Sequence, residues 1–422
     1  MWTRTLAALL LLLTPVPALA SGLPAAPPES LGFSPDRLAR IDDAMQRWVD
    51  DGKLAGVTIA IARDGKVAYQ HSAGMADIAR QRPMADNTLV RIYSMTKPIT
   101  AVAVMMLVEE GKLRLNDKLS DHLPEFLDMK VATGDGPNGI VTEPAKQPIR
   151  IFHLLTHTSG MTYALYDTTP VGKLYDENDV MNAGRSTAEF VKLVASLPLM
   201  AQPGTQYNYG VSIDVLGRLV EVVSGQPFDV FVEQRITGPL RMDDTSFAAK
   251  DKTSRLAELY GPGPDGAPAP LVNEVWNPDY IDGSPFKSGG GGMVSTVGDY
   301  LRFAQMLLNG GELDGVRLLS PKTVQLMTTG QISHERRGYM LVGLPGYDMG
   351  LTMAVLEDVG ESHLPGSAGE FNWAGAASTH FFVDPKEKIV AVLITQMFPD
   401  QYKMRQELKN LTYQALVKSG AD

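Results

Sequence analysis

Apolar and polar positions follow one rhythm near the two ends of the chain and another in its middle. Behind Ser34-Pro35, which reads as an N-cap serine with proline in the first turn, Ile41, Met45 and Trp48 keep one apolar face until Asp51-Gly52. This predicts an amphipathic helix. Two β-rich runs, Val57-Thr58-Ile59-Ala60-Ile61 and Val67-Ala68-Tyr69, then flank Asp64-Gly65, the signature of a tight hairpin. The far end mirrors the beginning. Thr379–Val383 and Ile389–Ile394 meet across Asp384-Pro385, and a helical pattern from about 401 to 418 follows. From about 94 to 285 the apolar spacing is mostly helical, interrupted by long loops, and no internal repeat is visible. These rhythms predict an α+β fold. One antiparallel sheet is built from both termini (21–93 and 286–422) and flanked by helices, a mostly helical region (94–285) is inserted, and the active site lies at their junction.

Other features change this picture only at the start of the chain. Arg4, the apolar run Leu6–Leu13 and Ala18-Leu19-Ala20 make residues 1–20 a secretory signal peptide with cleavage after Ala20; the run is too short to span a bilayer. Periplasmic or secreted localisation is expected. Residues 21–33, rich in Pro, Gly and Ala, read as a linker. The absence of cysteine excludes disulfides, thiol chemistry and lipid attachment through an N-terminal cysteine. A net charge of −10 without a basic cluster argues against nucleic acid or anionic membrane as partner. The seven histidines are scattered and none has metal-ligand spacing, so no metal or other cofactor is expected.

The candidate chemistry centres on Ser94-Met95-Thr96-Lys97, which leads into an apolar run ending at Glu109-Glu110-Gly111. Serine needs an adjacent base to act as a nucleophile. A spacing of three on a helix puts Ser94 and Lys97 on one face, with Cβ atoms roughly 5–6 Å apart. Burial lowers a lysine pKa, and a helix N-terminus stabilises an oxyanion. Ser284-Pro285-Phe286-Lys287 has the same spacing but leads into Gly289–Gly292, where no helix can align the two side chains. His157-Thr158-Ser159 is followed by Gly160 and reads as a turn, Asp214 as an acidic residue near a helix start, and no G-x-S-x-G elbow occurs.

Taken in order, Tyr93-Ser94-Met95-Thr96-Lys97-Pro98, Leu154-Leu155-Thr156-His157-Thr158-Ser159-Gly160, Pro203-Gly204-Thr205 with Tyr209, and Gly290–Thr296 resemble the serine β-lactamase and penicillin-binding protein superfamily. The likeness is to its class C-like branch, which includes the family VIII carboxylesterases, and it runs from about residue 30 to the C-terminus. It implies a β-lactamase/transpeptidase-like fold with Ser94, Lys97 and Tyr209 catalytic. A Lys97 cation would draw the Tyr209 pKa down, and either residue could take the serine proton; Tyr207 is the alternative to Tyr209, with packing as its expected role. Where the family has Tyr-x-Asn, this chain has Tyr209-Gly210-Val211. Where it has Lys-Thr-Gly, two Lys-Ser-Gly matches, at 287–289 and 418–420, fall in a glycine run and at the C-terminus and are set aside. Trp373-Ala374-Gly375 resembles the Trp-Gly-Gly form instead. By that resemblance Trp373 and Gly375 bind substrate, and the backbone N–H groups of Ser94 and Ala376 form the oxyanion hole.

The departures point to substrate. Penicillins and D-alanyl-D-alanine peptides carry a carboxylate and an acylamino group, and leaving one such group unpaired costs about 1–3 kcal/mol. A neutral ester loses nothing against valine and tryptophan. The reading is thus a carboxylesterase working through an acyl-enzyme on small-molecule esters. A β-lactamase or D-alanyl-D-alanine carboxypeptidase is the nearest alternative; acyl transfer and a non-catalytic ligand-binding relative are others. Oligomeric state is open, with a monomeric or weakly associating protein as the working expectation.

Overall fold

The computed structural model describes residues 22–136, 139–271, 279–332 and 345–420. Residues 1–20, expected to be a signal peptide, lie outside the described residues. Eight antiparallel strands form the main sheet: β1 (Gly56–Arg63), β2 (Lys66–Asp77), β3 (Arg82–Pro83), β4 (Tyr347–Met349), β5 (Ala354–Leu356), β6 (Phe371–Gly375), β7 (Thr379–Asp384) and β8 (Ile389–Thr395). Their spatial order is β4-β5-β6-β7-β8-β1-β2-β3, so the first and last strands of the chain meet at the β8–β1 seam. That seam runs in continuous register from Val57 opposite Thr395 to Arg63 opposite Ile389. The β1–β2 turn places Asp64 and Gly65 at positive φ, as its Asp-Gly pair predicts.

Both faces of the sheet are covered, and the period of two explains how. On β8, Val390, Val392 and Ile394 join the larger core, while Ile389, Ala391 and Leu393 join the smaller one. The smaller core lies under α1 (Pro35–Asp50) and α6 (Met404–Ala415). The larger core is filled by α2 (Thr96–Glu109), α4 (Ser212–Ser224) and α5 (Val297–Leu308); a fourth helix of this region, α3 (Pro170–Glu177), borders the pocket described below. Helix α2 is apolar all round, and each side chain from Thr96 to Leu107 is buried. Among the described residues no helix is long and apolar enough to cross a membrane.

Several local expectations change. The segment 21–33 is not a free linker where it is described. Ala26 N–H bonds Val67 O at 3.0 Å, Pro28–Leu31 forms a 3-10 turn, and Leu31 and Phe33 are buried because the α1–α6 core accepts their apolar side chains. Ser34 occupies the N-cap of α1, but its side chain makes no capping bond. The insert holds two ribbons, the largely exposed Lys130–Gly136 with Gly139–Pro144 and the partly buried Tyr260–Pro262 with Pro268–Pro270, which the helical spacing around them masks.

One buried polar pair fixes the start of β6. Lys409 on α6 donates to Glu370 Oε1 at 2.8 Å and to the Tyr347 hydroxyl at 2.7 Å, with both charged side chains at most 1% exposed. Glu370 immediately precedes β6, the strand that leads to the candidate site. Removing one member of such a pair strands the other charge. Lys409→Met is therefore expected to lower unfolding free energy by about 3–5 kcal/mol in urea denaturation.

Candidate active site

The chain is bent sharply just before Ser94. Val90-Arg91 pairs with Val294-Ser295, and Ile92 N–H bonds Met293 O at 3.0 Å. Tyr93 then takes φ +42°, unusual for a residue with a Cβ, with its ring buried edge-on against Tyr280 at 6.3 Å. Tyr93–Met95 forms a 3-10 turn that runs straight into α2, and Tyr300 OH ties Met95 O at 2.8 Å. Ser94 is thereby set at the mouth of a buried helix, and Lys97 in its first turn.

Lys97 Nζ lies 3.2 Å from Ser94 Oγ and donates to Gly290 O at 2.7 Å. It sits over the rings of Tyr209 at 4.8 Å and Tyr163 at 5.3 Å. The side chain is 1% exposed, and desolvation brings its pKa down to about 8 against the opposing pull of Asp214. The Tyr209 hydroxyl is 2.7 Å from Ser94 Oγ. Tyr209 is set by its neighbours, with Asn208 N–H on His157 O at 2.7 Å and the His157 ring 4.8 Å from its own. His157 is buried, with a pKa held well below its ordinary value by desolvation, and acts as a neutral wall. Burial also raises the Tyr209 pKa, which corrects the expectation that Lys97 would lower it: desolvation of the phenolate dominates, and the Ser94 hydrogen bond opposes it only partly. Tyr207 points elsewhere, edge-on to His157 at 5.8 Å.

Asp214 has a larger part than its sequence position suggests. It is fully buried in the first turn of α4, where its carboxylate accepts Tyr163 OH at 2.7 Å, Gly290 N–H at 3.0 Å and the Ser288 hydroxyl. A Cβ at Gly290 would collide with that carboxylate and with Tyr163 OH. The glycine run is thus a cradle: Gly290 N–H meets Asp214 while Gly290 O holds Lys97. An acidic residue set among Ile213, Val215 and Leu216 was the available sign. The second serine–lysine spacing does not form a site of this kind, since Lys287 Nζ lies 3.8 Å from Asp229.

The third motif is rearranged from expectation. Trp373 does not line the cavity; it is 1% exposed on β6, its ring 6.1 Å from that of Tyr209, because odd-numbered β6 side chains face the core. Gly375 is also behind the wall, and a Cβ there would strike Ile92 O and Thr379 Oγ1. Glycine is needed so that β6 can approach the segment carrying Ser94, and neither residue contacts the space open to substrate. Ala376 does line the cavity, together with Ser94, Tyr209 and Val211. The cavity measures about 420 Å³. Val211 is the buried N-cap residue of α4, and Ser212, the first helical residue, bonds Ser159 Oγ at 2.8 Å. Among the described residues no cluster of metal-ligating side chains occurs.

Residues 41–414 match the sequence profile of the family described as Beta-lactamase. The chain belongs to the beta-lactamase family. Protein Rv1367c of Mycobacterium tuberculosis is 36% identical over 360 residues, 83% of this chain and 88% of that one. Esterase EstB of Burkholderia gladioli is 31% identical over 381 residues, covering 85% and 90% respectively. The solved structure of EstCE1, described as a hydrolase with promiscuous acyltransferase activity, is 28% identical and superposes with a TM-score of 0.76 over 91% of this chain and 99% of that one.

As a beta-lactamase-fold hydrolase, the protein places a hydroxyl, an amine and a phenol within reach of one another at the end of a cavity. With Lys97 neutral, its lone pair can accept the Ser94 proton, while the neutral Tyr209 phenol donates to Ser94 Oγ. Reaction of the wild type with a fluorophosphonate probe, followed by intact mass, is expected to modify Ser94 at a rate that rises with pH through about 8, as Lys97 loses its proton. Lys97→Met should slow it by about 10²-fold or more.

Proposed function

We propose that the protein hydrolyses neutral carboxylic esters through an acyl-enzyme on Ser94. Ser94 Oγ attacks the ester carbonyl as its proton passes to Lys97, directly or through Tyr209. The backbone N–H groups of Ser94 and Ala376 receive the oxyanion. Collapse returns the proton to the leaving alcohol, and water, deprotonated by the same pair, then releases the acid.

The observation that carries the choice of ester is Val211, a buried apolar side chain on the cavity wall beside Tyr209. There the acylamino group of a penicillin or peptide would find no partner. No residue of β6 offers a cation for a substrate carboxylate either, since its sequence is Phe-Asn-Trp-Ala-Gly. Likeness to a protein named an esterase and to one described as a hydrolase supports the same reading. That second description also favours an alcohol taking the place of water at the acyl-enzyme as a secondary reaction. Residues 1–20 carry the features of an export signal, and we place the mature protein in the periplasm or outside the cell.

Hydrolysis of p-nitrophenyl butyrate and nitrocefin by the same preparation tests the substrate class. The ester is expected to have the higher kcat/KM by at least about 10²-fold, consistent with two unpaired polar groups on the β-lactam. A preference for nitrocefin would reverse the assignment in favour of β-lactam or peptide chemistry. Mass analysis of the exported protein is expected to find its first residue at Ser21.

A further inference from the structure

The charges around the cavity are unbalanced. Among the described residues, Asp167, Asp176, Asp179 and Asp279 line it against Lys173 as the one ammonium of the lining. Four of these five side chains stand in solvent, where water and salt screen them. Asp167 does not: it is 9% exposed. Its Oδ1 accepts Thr169 N–H at 2.9 Å, in the turn that enters α3. Its Oδ2 has no hydrogen-bond partner among the described residues.

A buried carboxylate oxygen without a donor is unfavourable, and the surrounding chain is shaped to keep it. A Cβ at Gly172 would strike the Asp167 backbone carbonyl first and its carboxyl carbon next, so α3 packs onto Asp167 only through glycine. Aromatic rings border the same space. Tyr163 and Tyr166 meet edge to face at 6.4 Å, and Tyr166 is 45% exposed with its ring on the cavity wall. Tyrosine faces attract organic cations, and an ionised carboxylate is the strongest acceptor for an ammonium N–H.

We propose that this end of the cavity is a subsite for a protonated amine carried by the substrate. Asp167 Oδ2 accepts its N–H, and the rings of Tyr163 and Tyr166 flank the charge. The inference rests on ester hydrolysis at Ser94 and narrows it to amino-substituted esters. It also places anionic esters last, since the lining repels them. Lys173 is exposed on α3, so its repulsion of an ammonium is weakened by solvent.

Two readouts test the subsite apart from the chemistry. In hydrolysis, 3-(dimethylamino)propyl butyrate is compared at pH 7 with its neutral isostere, 4-methylpentyl butyrate. The cationic ester is expected to show at least about tenfold higher kcat/KM, and Asp167→Asn to bring that ratio near one. In calorimetry on the Ser94→Ala protein, hexylammonium is expected to bind at least about tenfold more tightly than hexanol, with the difference lost when Asp167→Asn is added. Should Asp167→Asn not fold, Tyr166→Leu alters an exposed ring and is expected to weaken hexylammonium about threefold. Asp167-dependent binding without turnover of either ester would keep the subsite and remove the ester reading. Equal turnover of both esters, with hexylammonium bound no better than hexanol, would remove the subsite and keep ester hydrolysis. Hexylammonium binding that ignores both Asp167→Asn and Tyr166→Leu would overturn the proposal outright.

Discussion

The site depends on keeping one lysine out of water. Lys97 lies in the first turn of a helix whose side chains are buried from Thr96 to Leu107, and its amine meets Ser94, Gly290 O, the Tyr163 hydroxyl and aromatic faces. Among the described residues no carboxylate bonds it. Asp214, the nearest acid in electrostatic effect, raises the Lys97 pKa less than burial lowers it. A direct ion pair would keep the lysine protonated and useless as a base; full desolvation without any acceptor would empty the site of charge altogether. The arrangement lies between these, with the carboxylate one residue removed and spent on Tyr163, Ser288 and Gly290.

That balance is delivered by the fold. The sheet seam between β1 and β8 joins the two ends of the chain, and β6 stands two strands beyond β8 with its last glycine pressed against Ile92. The strand pair Val90-Arg91 with Val294-Ser295 brings the glycine run to the same place from the other side. Ser94 is held between these two backbone contacts, which is why the left-handed Tyr93 is tolerated. The Lys409–Glu370 pair, outside the cavity lining, belongs to the same chain of positioning because it anchors the strand that ends just before Ala376.

Much of this was legible from residue spacing. The Ser94–Lys97 interval, the Asp64-Gly65 turn and the terminal hairpin all rest on local rules, and the structure has each in place. Tyr209 follows from the family resemblance, through its place after Pro203-Gly204-Thr205, and its hydroxyl lies 2.7 Å from Ser94 Oγ. What spacing could not convey was burial. Asp214 reads as a routine helix-start acid until its three donors are seen, and Gly290 as part of a flexible run until the missing Cβ is found to be required. A neighbouring cation taken alone gives the wrong sign for Tyr209, whose pKa desolvation raises. Trp373 was assigned to substrate by position in a motif, yet its β6 face points to the core. The Lys130–Gly136 and Gly139–Pro144 ribbon escaped notice because its largely exposed strands carry little apolar pattern.

The site's chemistry rests on burial making Lys97 a base near neutrality. Nitrogen NMR of lysine labelled at Nζ, with Lys97→Met to assign the resonance, follows that one proton directly as pH is raised. A midpoint near 8 is expected, well below the ordinary lysine value of 10.5. A Lys97 that keeps its proton beyond pH 10 would contradict it.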